Sequence, residues 1–164
     1  MIARYLIIAR YAEFTPDYKL NILGGDIDQI VADSYPYVHN QFIIATRIFL
    51  NRQEIQKENT VRGEIVDTET DELIGEAELG SIPKIARLPE GAEHLGVGFI
   101  LQFSNVIFNK PGKYVIKLIV DSQMIATASL QVASSDYFGK LRTGFQDVFE
   151  GITADGSNDR GSDQ

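Results

Sequence analysis

The chain of 164 residues contains no cysteine. Disulfides, thiolate nucleophiles and Cys-ligated metals are therefore excluded, and the absence fits a reducing compartment. No stretch approaches the ~20 apolar residues of a membrane-spanning helix. Arg4 and Arg10 also interrupt the apolar N-terminal run before it reaches signal-peptide length. We therefore expect a cytoplasmic protein that neither crosses nor binds a membrane.

Basic residues are scarce. The chain has 15 Lys and Arg against 23 Asp and Glu, which gives a net charge of −8. A surface built to neutralise phosphates needs the opposite balance, so we expect no nucleic-acid partner. The hydrophobic content of 44% and the charged content of 23% are typical of a globular domain with a real core.

Groups that could carry catalysis are also few. His39 and His94 are the only histidines, and both lie in predicted loops. No G-x-S-x-G motif is present, and the glycines at 24–25 and 96–98 do not match a phosphate-binding loop. We therefore predict no catalytic residues, no enzymatic activity and no cofactor.

Alternation of apolar and polar residues is the strongest positive signal. It runs through residues 113–121 and 124–132, which follow the turn dipeptide Pro111-Gly112. A period of two is typical of half-buried strands, so these segments predict an antiparallel hairpin. Tyr114, which opens this hairpin, is either a tyrosine corner of the immunoglobulin type or an ordinary core tyrosine.

Six further strands are expected, and no helices interrupt them. They are predicted at residues 3–14, 19–23, 41–50, 61–67, 73–79 and 97–108. In the first strand, Ala3, Tyr5, Ile7, Ala9 and Tyr11 should face one way, and Leu6, Ile8 and Ala12 the other, with Arg4 and Arg10. Residues 27–34 are ambiguous between helix and strand, and residues 35–40 and 80–96 are predicted loops. The pattern favours an all-β fold over residues 1–133, an antiparallel two-sheet sandwich of immunoglobulin-like or C2-like type.

The segment 134–152 has a different period. On a helical wheel its large apolar residues fall on one face, and polar residues lie opposite. Gly139 and Gly144 weaken the predicted amphipathic helix, so its apolar face must be covered for it to form. That face is either docked on the chain's own domain or bound to a protein partner or second copy. The predicted partner-binding residues are Tyr137, Phe138, Leu141, Phe145, Val148 and Phe149. Residues 153–164 are expected to form a disordered acidic tail.

An acidic turn is the arrangement in the sequence that is most similar to a metal site. Asp67, Glu69 and Asp71 alternate along it, and Glu78 follows eleven residues after Asp67. Calcium is bound by such oxygens, but Glu72 occupies the position where a calcium loop needs glycine. A solvated hairpin turn accommodates the same residues, so our prediction is no metal, with this set as the alternative.

Three segments of the chain resemble an uncharacterised bacterial β-sandwich family. These are residues 3–13, residues 19–25, and residues 108–114 with their Pro-Gly-x-Tyr motif. The resemblance spans roughly residues 3–132 and implies a β-sandwich with no established activity. We therefore expect a non-catalytic protein-interaction module. The alternative is a small-ligand or carbohydrate-binding domain that uses the loops at 35–40 and 80–96.

Overall fold

The computed structural model describes residues 1–136, apart from the side chains of Glu78 and Leu79. Nearly all of the predicted helix 134–152, its apolar residues and the tail 153–164 lie outside this part. Within it the chain forms nine strands and one 3-10 turn, Glu54–Gln56. The strands are β1 (Ile2–Phe14), β2 (Leu20–Gly25), β3 (Gln29–Ala32), β4 (Tyr37–Leu50), β5 (Asn59–Asp67), β6 (Leu73–Ile82), β7 (Leu95–Phe108), β8 (Gly112–Val120) and β9 (Gln123–Ser134). None of the helical structure in residues 1–136 is long and apolar enough to cross a bilayer.

The strands form two sheets, which confirms the all-β prediction. The first sheet has the order β2-β1-β4-β7, and the second has the order β3-β9-β8-β5-β6. The expectation of wholly antiparallel pairing was wrong, because β3 pairs parallel with β9. The segment before β3 explains this. The Ile27 N–H donates to the Ile8 carbonyl in the first sheet, and the Gln131 N–H then donates to the Asp28 carbonyl in the second.

The two sheets bury one core between them. Phe42 of β4 stacks on Phe103 of β7 with ring centroids 5.2 Å apart. These rings share the core with Ile65, Ile116 and Leu130 of the second sheet. Burial of each such side chain contributes roughly 1.5–3 kcal/mol, so the shared core is what joins the layers.

The alternation of burial is interrupted at one level across the first sheet. Two successive residues are exposed at Arg10–Tyr11 in β1, at Asn40–Gln41 in β4 and at Ser104–Asn105 in β7. Gln41 lies directly opposite Ser104, so the interruptions in β4 and β7 are in register. Our prediction that Ala12 faces away from Ala9 was therefore wrong, because both alanines are buried in the same small cluster.

Three predicted boundaries also change. The ambiguous segment 27–34 contains β3, which raises the strand count from eight to nine. The predicted loop 35–40 was wrong for residues 37–40, since Tyr37 to His39 pair with β7. The predicted loop 80–96 shortens to residues 83–94, because β6 continues to Ile82 and β7 begins at Leu95.

The two sheets pack closely at Gly63, and a mutation there can test this packing. A Cβ atom at this position of β5 would lie 2.9 Å from Cζ of Phe103 and 3.2 Å from Cδ2 of Leu101. Both side chains are buried in β7 and cannot move aside freely. Overpacking of this kind costs roughly 1–3 kcal/mol, and we expect Gly63→Ala to lower the free energy of unfolding by that amount in urea denaturation.

Gly112→Ala is the matched control. Its added methyl group would meet only Cε2 of Tyr114, at 3.8 Å, which is ordinary van der Waals contact. We expect its free energy of unfolding to stay within about 0.5 kcal/mol of the wild type. Equal stability of the two variants would contradict the close packing of the sheets at Gly63.

Candidate functional site

A cleft of about 660 Å³ opens between the connection from β2 to β3 and the beginning of β4. We call it the His39 cleft. Its lining residues are Arg10, Asp26, Ile27, Asp28, Gln29, Ile30, Val31, Tyr37, His39 and Gln41. This volume lies within the range of about 300–1,000 Å³ that is usual for small-molecule sites.

Local geometry positions the two walls of the cleft. Asp26 has a φ of 63°, in the left-handed region, where the chain turns out of β2. Ile27 is then anchored to β1 by its backbone hydrogen bond to Ile8, and Ile30 is buried in the main core. The opposite wall is strand β4, so both walls are fixed to the core of the domain.

His39 is the half-buried titratable group of this cleft. Its Nδ1 lies 3.3 Å from the hydroxyl of Tyr37, and its ring centroid is 5.6 Å from that of Phe42. Burial lowers the pKa of His39, and the positive charge of Arg10 lowers it further, whereas a hydrogen bond to the backbone of Gln41 raises it. A lowered pKa favours the neutral imidazole at pH 7, which can both donate and accept a hydrogen bond.

Charged side chains of both signs line the His39 cleft. Arg10, Asp26 and Asp28 are exposed, and none of them forms an ion pair within 4.0 Å with another of the residues 1–136. Together with Tyr37 and Gln41 they offer donors and acceptors at several points of one concave surface. The arrangement suits a polar ligand with several hydrogen-bonding groups.

A second cleft, of about 680 Å³, lies beside the loop 83–94. It is lined by Arg52, Gln56, Ala86, Arg87, Leu88, Pro89 and Glu90. Each of the two segments that the sequence predicted as binding loops therefore borders a cleft. The two histidines lie at opposite ends of β4. His39 is near its start, and the ring of His94 lies beside that of Phe49 near its end, with the centroids of these two rings 6.5 Å apart.

The acidic turn between β5 and β6 is held by hydrogen bonds and lysines. Asp67 is buried, and its Oδ1 accepts the N–H groups of Glu69 and Thr70 at 2.8 and 3.3 Å. Lys110 lies 3.2 Å from Asp67 and 2.6 Å from Glu69, and Lys117 lies 3.7 Å from Asp71.

Glu78 does not belong to this turn. Its backbone pairs with that of Arg62, well along β6. In the described part of the chain no group of three or more His, Asp or Glu side chains is placed to hold a metal ion. The carboxylate of Asp67 instead holds the corner where β5 meets β6.

Tyr114 braces the same corner. Its side chain is buried, its ring packs edge-on against Phe108 at 4.9 Å, and its hydroxyl donates to the Lys110 carbonyl at 2.9 Å. A tyrosine near the start of a strand that bonds back to the preceding backbone is the geometry of a tyrosine corner. Tyr114 is thus a buried core residue whose hydroxyl also bonds to the backbone of the preceding turn.

The sequence pointed to the segment 35–40, which contains Tyr37 and His39, as a possible binding loop, but it did not point to Arg10, Asp26, Asp28 or Gln41. These residues lie in separate segments that only the strand pairing brings together. The predicted partner-binding residues Tyr137, Phe138, Leu141, Phe145, Val148 and Phe149 lie outside the described part. No local signal in the sequence marks the charged wall of the His39 cleft.

Comparison with known proteins places the chain in a family. Residues 4–133 match a family of unknown function, DUF6941. The chain belongs to this family. The match confirms the sequence-based identification of an uncharacterised domain over nearly the same residues. No curated protein matches the sequence.

One solved structure shows a distant likeness. It is the Pseudomonas fluorescens alkylpurine DNA glycosylase AlkC bound to DNA containing an abasic site analog, with a TM-score of 0.35 and 13% identity. The alignment covers 78% of this chain and 30% of the glycosylase chain. A likeness at this level carries no argument about function.

The buried carboxylate of Asp67 predicts a specific dependence of stability on pH. The N–H of Glu69 is the largest cause of its lowered pKa, and Lys110 lowers the pKa further while burial opposes them. Because the folded-state pKa is depressed, its contribution to stability is present above the unfolded value near 3.9 and is lost as the pH falls through the lower folded value. We expect Asp67→Asn to show a smaller loss of stability between pH 6 and pH 3 than the wild type, measured by urea denaturation.

Asp71→Asn is the control for this prediction. Asp71 lies in the same turn, but its carboxylate is 90% exposed and 3.7 Å from Lys117. Exposed pairs of this kind contribute little to stability, so this variant should follow the wild-type pH curve. Parallel curves for the wild type and Asp67→Asn would show that the Asp67 carboxylate is not linked to folding.

Proposed function

We propose that this protein is a non-catalytic binding module that contacts a protein partner, or a second copy of itself, through its C-terminal segment. In this proposal the two-sheet domain is a rigid scaffold in the cytoplasm. The segment after β9 is the contact element, and its apolar side chains are Tyr137, Phe138, Leu141, Phe145, Val148 and Phe149.

The proposal rests on where the chain leaves the core after β9. Val132 and Ala133 are buried, Ser134 and Ser135 are partly exposed, and Asp136 is exposed. The apolar helical pattern in the sequence begins directly after this exit. Six large apolar side chains, each contributing roughly 1.5–3 kcal/mol on burial, require a surface to cover them. A helix-in-groove contact is the usual way in which such a segment is bound.

The domain itself also presents apolar side chains to solvent. Tyr11 lies directly opposite Leu23 in β1 and β2, and Val38 lies opposite Ile107 in β4 and β7. All four side chains are exposed. Adjacent exposed apolar side chains are a common feature of protein-binding surfaces, so these pairs are secondary candidates for contact with a partner.

The topology favours an immunoglobulin-like sandwich as the scaffold, and we include this in the proposal. The order β9-β8-β5 corresponds to strands G, F and C of that fold, and β1-β4-β7 corresponds to A, B and E. In this alignment Tyr114 opens strand F, where the tyrosine corner of immunoglobulin-like domains occurs. The hydrogen bond from Tyr114 to Lys110 supports this choice over a C2-like fold.

Removal of residues 136–164 tests the binding role. The shared core described above is built from residues 1–136. In this proposal we therefore expect the truncated protein to unfold at nearly the same urea concentration as the full chain. Its association should be lost, whether with itself in light scattering or with captured partners. Unchanged association by the truncated protein would contradict the proposal.

Two substitutions in the full chain provide a matched pair. Phe145→Glu places a charge on the apolar face, and Gln146→Glu adds the same charge one residue later, on the polar face. We expect only Phe145→Glu to weaken association, because a charge buried at an interface without a partner is costly. If both substitutions weaken association equally, net charge rather than the apolar face controls it.

The His39 cleft favours a second function, the binding of a small polar ligand such as a saccharide. Asp26, Asp28, Arg10 and Gln41 can bond to neighbouring hydroxyl groups, and the ring of Tyr37 supplies an apolar face. Ligand binding raises apparent stability by mass action. We therefore expect a saccharide to be found, in a thermal-shift screen followed by calorimetry, that raises the melting temperature of the wild type.

Asp28→Asn and Arg10→Gln should each abolish that rise in melting temperature. Asp33→Asn is the control, since Asp33 is an exposed aspartate on the same segment that does not line the cleft. A melting-temperature rise that survives both cleft substitutions would place the binding elsewhere, and no rise with any saccharide would remove this function.

A further inference from the structure

A small cleft of about 360 Å³ lies on the outward face of the first sheet, beside the start of β7. We call it the Arg47 cleft. It is lined by Phe14, Tyr18, Arg47, Gly96, Val97 and Gly98. It shares no lining residue with the His39 cleft or with the loop 83–94.

Two glycines make room for the aromatic rings beside this cleft. The ring of Phe14 lies directly over Gly98, in the space that a Cβ atom would occupy. At Gly96 a Cβ atom would be 2.9 Å from Cε1 of Phe49 and 3.6 Å from Cδ of Arg47. The rings of Phe14 and Phe49 and the aliphatic part of Arg47 therefore pack directly on the backbone of the two glycines. Apolar side chains thus lie beside the guanidinium group.

The side chain of Arg47 lacks both a hydrogen-bond partner for its Nε and a nearby carboxylate among residues 1–136. Its Nε is buried and has no hydrogen-bond partner, and the guanidinium forms no ion pair within 4.0 Å with any of the residues 1–136. Nε of Arg62 is also buried without a hydrogen bond, but it lies 3.0 Å from Oε1 of Glu64, with which it forms an ion pair. A buried N–H group without a partner is costly, and its retention calls for a functional explanation.

We propose that the Arg47 cleft binds an aromatic carboxylate. The planar guanidinium can bond to both oxygens of a carboxylate at once, which is the pairing that arginine makes best. The rings of Phe14 and Tyr18 supply stacking surfaces for an aromatic group attached to that carboxylate. A volume of about 360 Å³ suits a ligand of one ring with a short acidic substituent.

Three probes separate the charge from the ring. Benzoate carries both features, benzamide keeps the ring without the charge, and acetate keeps the charge without the ring. We expect benzoate, titrated into the full chain and followed by NMR, to shift the amide signals of Gly96 and Gly98 and to bind roughly tenfold more tightly than either of the other two. Equal binding of benzoate and benzamide would overturn the proposal, and this comparison does not depend on any variant.

Substitution of Arg47 is the second test of the proposal. We expect Arg47→Gln to abolish the response to benzoate while its melting temperature equals or exceeds that of the wild type, because a buried Nε–H group without a partner has been removed. Arg52→Gln, at an exposed arginine of another cleft, should leave the response unchanged. Full benzoate binding by Arg47→Gln, or loss of binding in Arg52→Gln, would also overturn the proposal.

The same chemistry has two sources, a free aromatic acid or the terminal phenylalanine of a polypeptide. The peptide Gly-Gly-Phe with a free C-terminus is compared with its amide and with benzoate. Tighter binding of the free peptide than of benzoate supports a chain terminus as the natural ligand, and the reverse order supports a small acid. Equal binding of the free peptide and its amide would count against recognition of the carboxylate.

Discussion

Close packing of the two sheets at Gly63 is the constraint on which the other features depend. Because this position of β5 has no side chain, Phe103 and Leu101 of β7 reach the backbone of the opposite sheet. The same packing buries Phe42 and Ile116 and fixes the separation of the layers. The clefts at the surface are gaps between elements whose positions this core determines.

Much of the fold could be predicted from the sequence because a strand with one buried side must alternate. The hairpin of β8 and β9 shows this most clearly, since Tyr114, Ile116, Leu118 and Val120 are all buried as expected. What could not be predicted depends on long-range pairing. Pro36 marked the next residues as loop, yet Tyr37 begins a strand because Phe108 is available opposite it. The position of Ala12 was missed because Arg10 and Tyr11 are both exposed, which shifts the alternation by one residue, and a strict period of two contains no such shift.

Some residues of the candidate sites could be recognised in the sequence, and others could be found only in the structure. His39 and the acidic turn were visible as unusual residue types in exposed segments. Arg10 and Asp26 were not, because their shared cleft exists only after β1, β3 and β4 have been brought together. Arg47 gave no signal at all, since an arginine among apolar residues of a strand is read as its polar side. Its missing hydrogen-bond partner can be found only in three dimensions.

The parallel pairing of β3 with β9 has a consequence for how the chain reaches its structure. Gln29 pairs with Gln131, so this contact joins residues 102 positions apart in the sequence. Contacts of this length carry a large loop-closure cost and slow the folding of β-rich proteins. During synthesis on the ribosome, the hydrogen-bonding groups of the early strand must wait for β9, one of the last strands to be made. Through that interval the unpaired edge of β3 is an open template for mispairing, and pairing with β9 closes it.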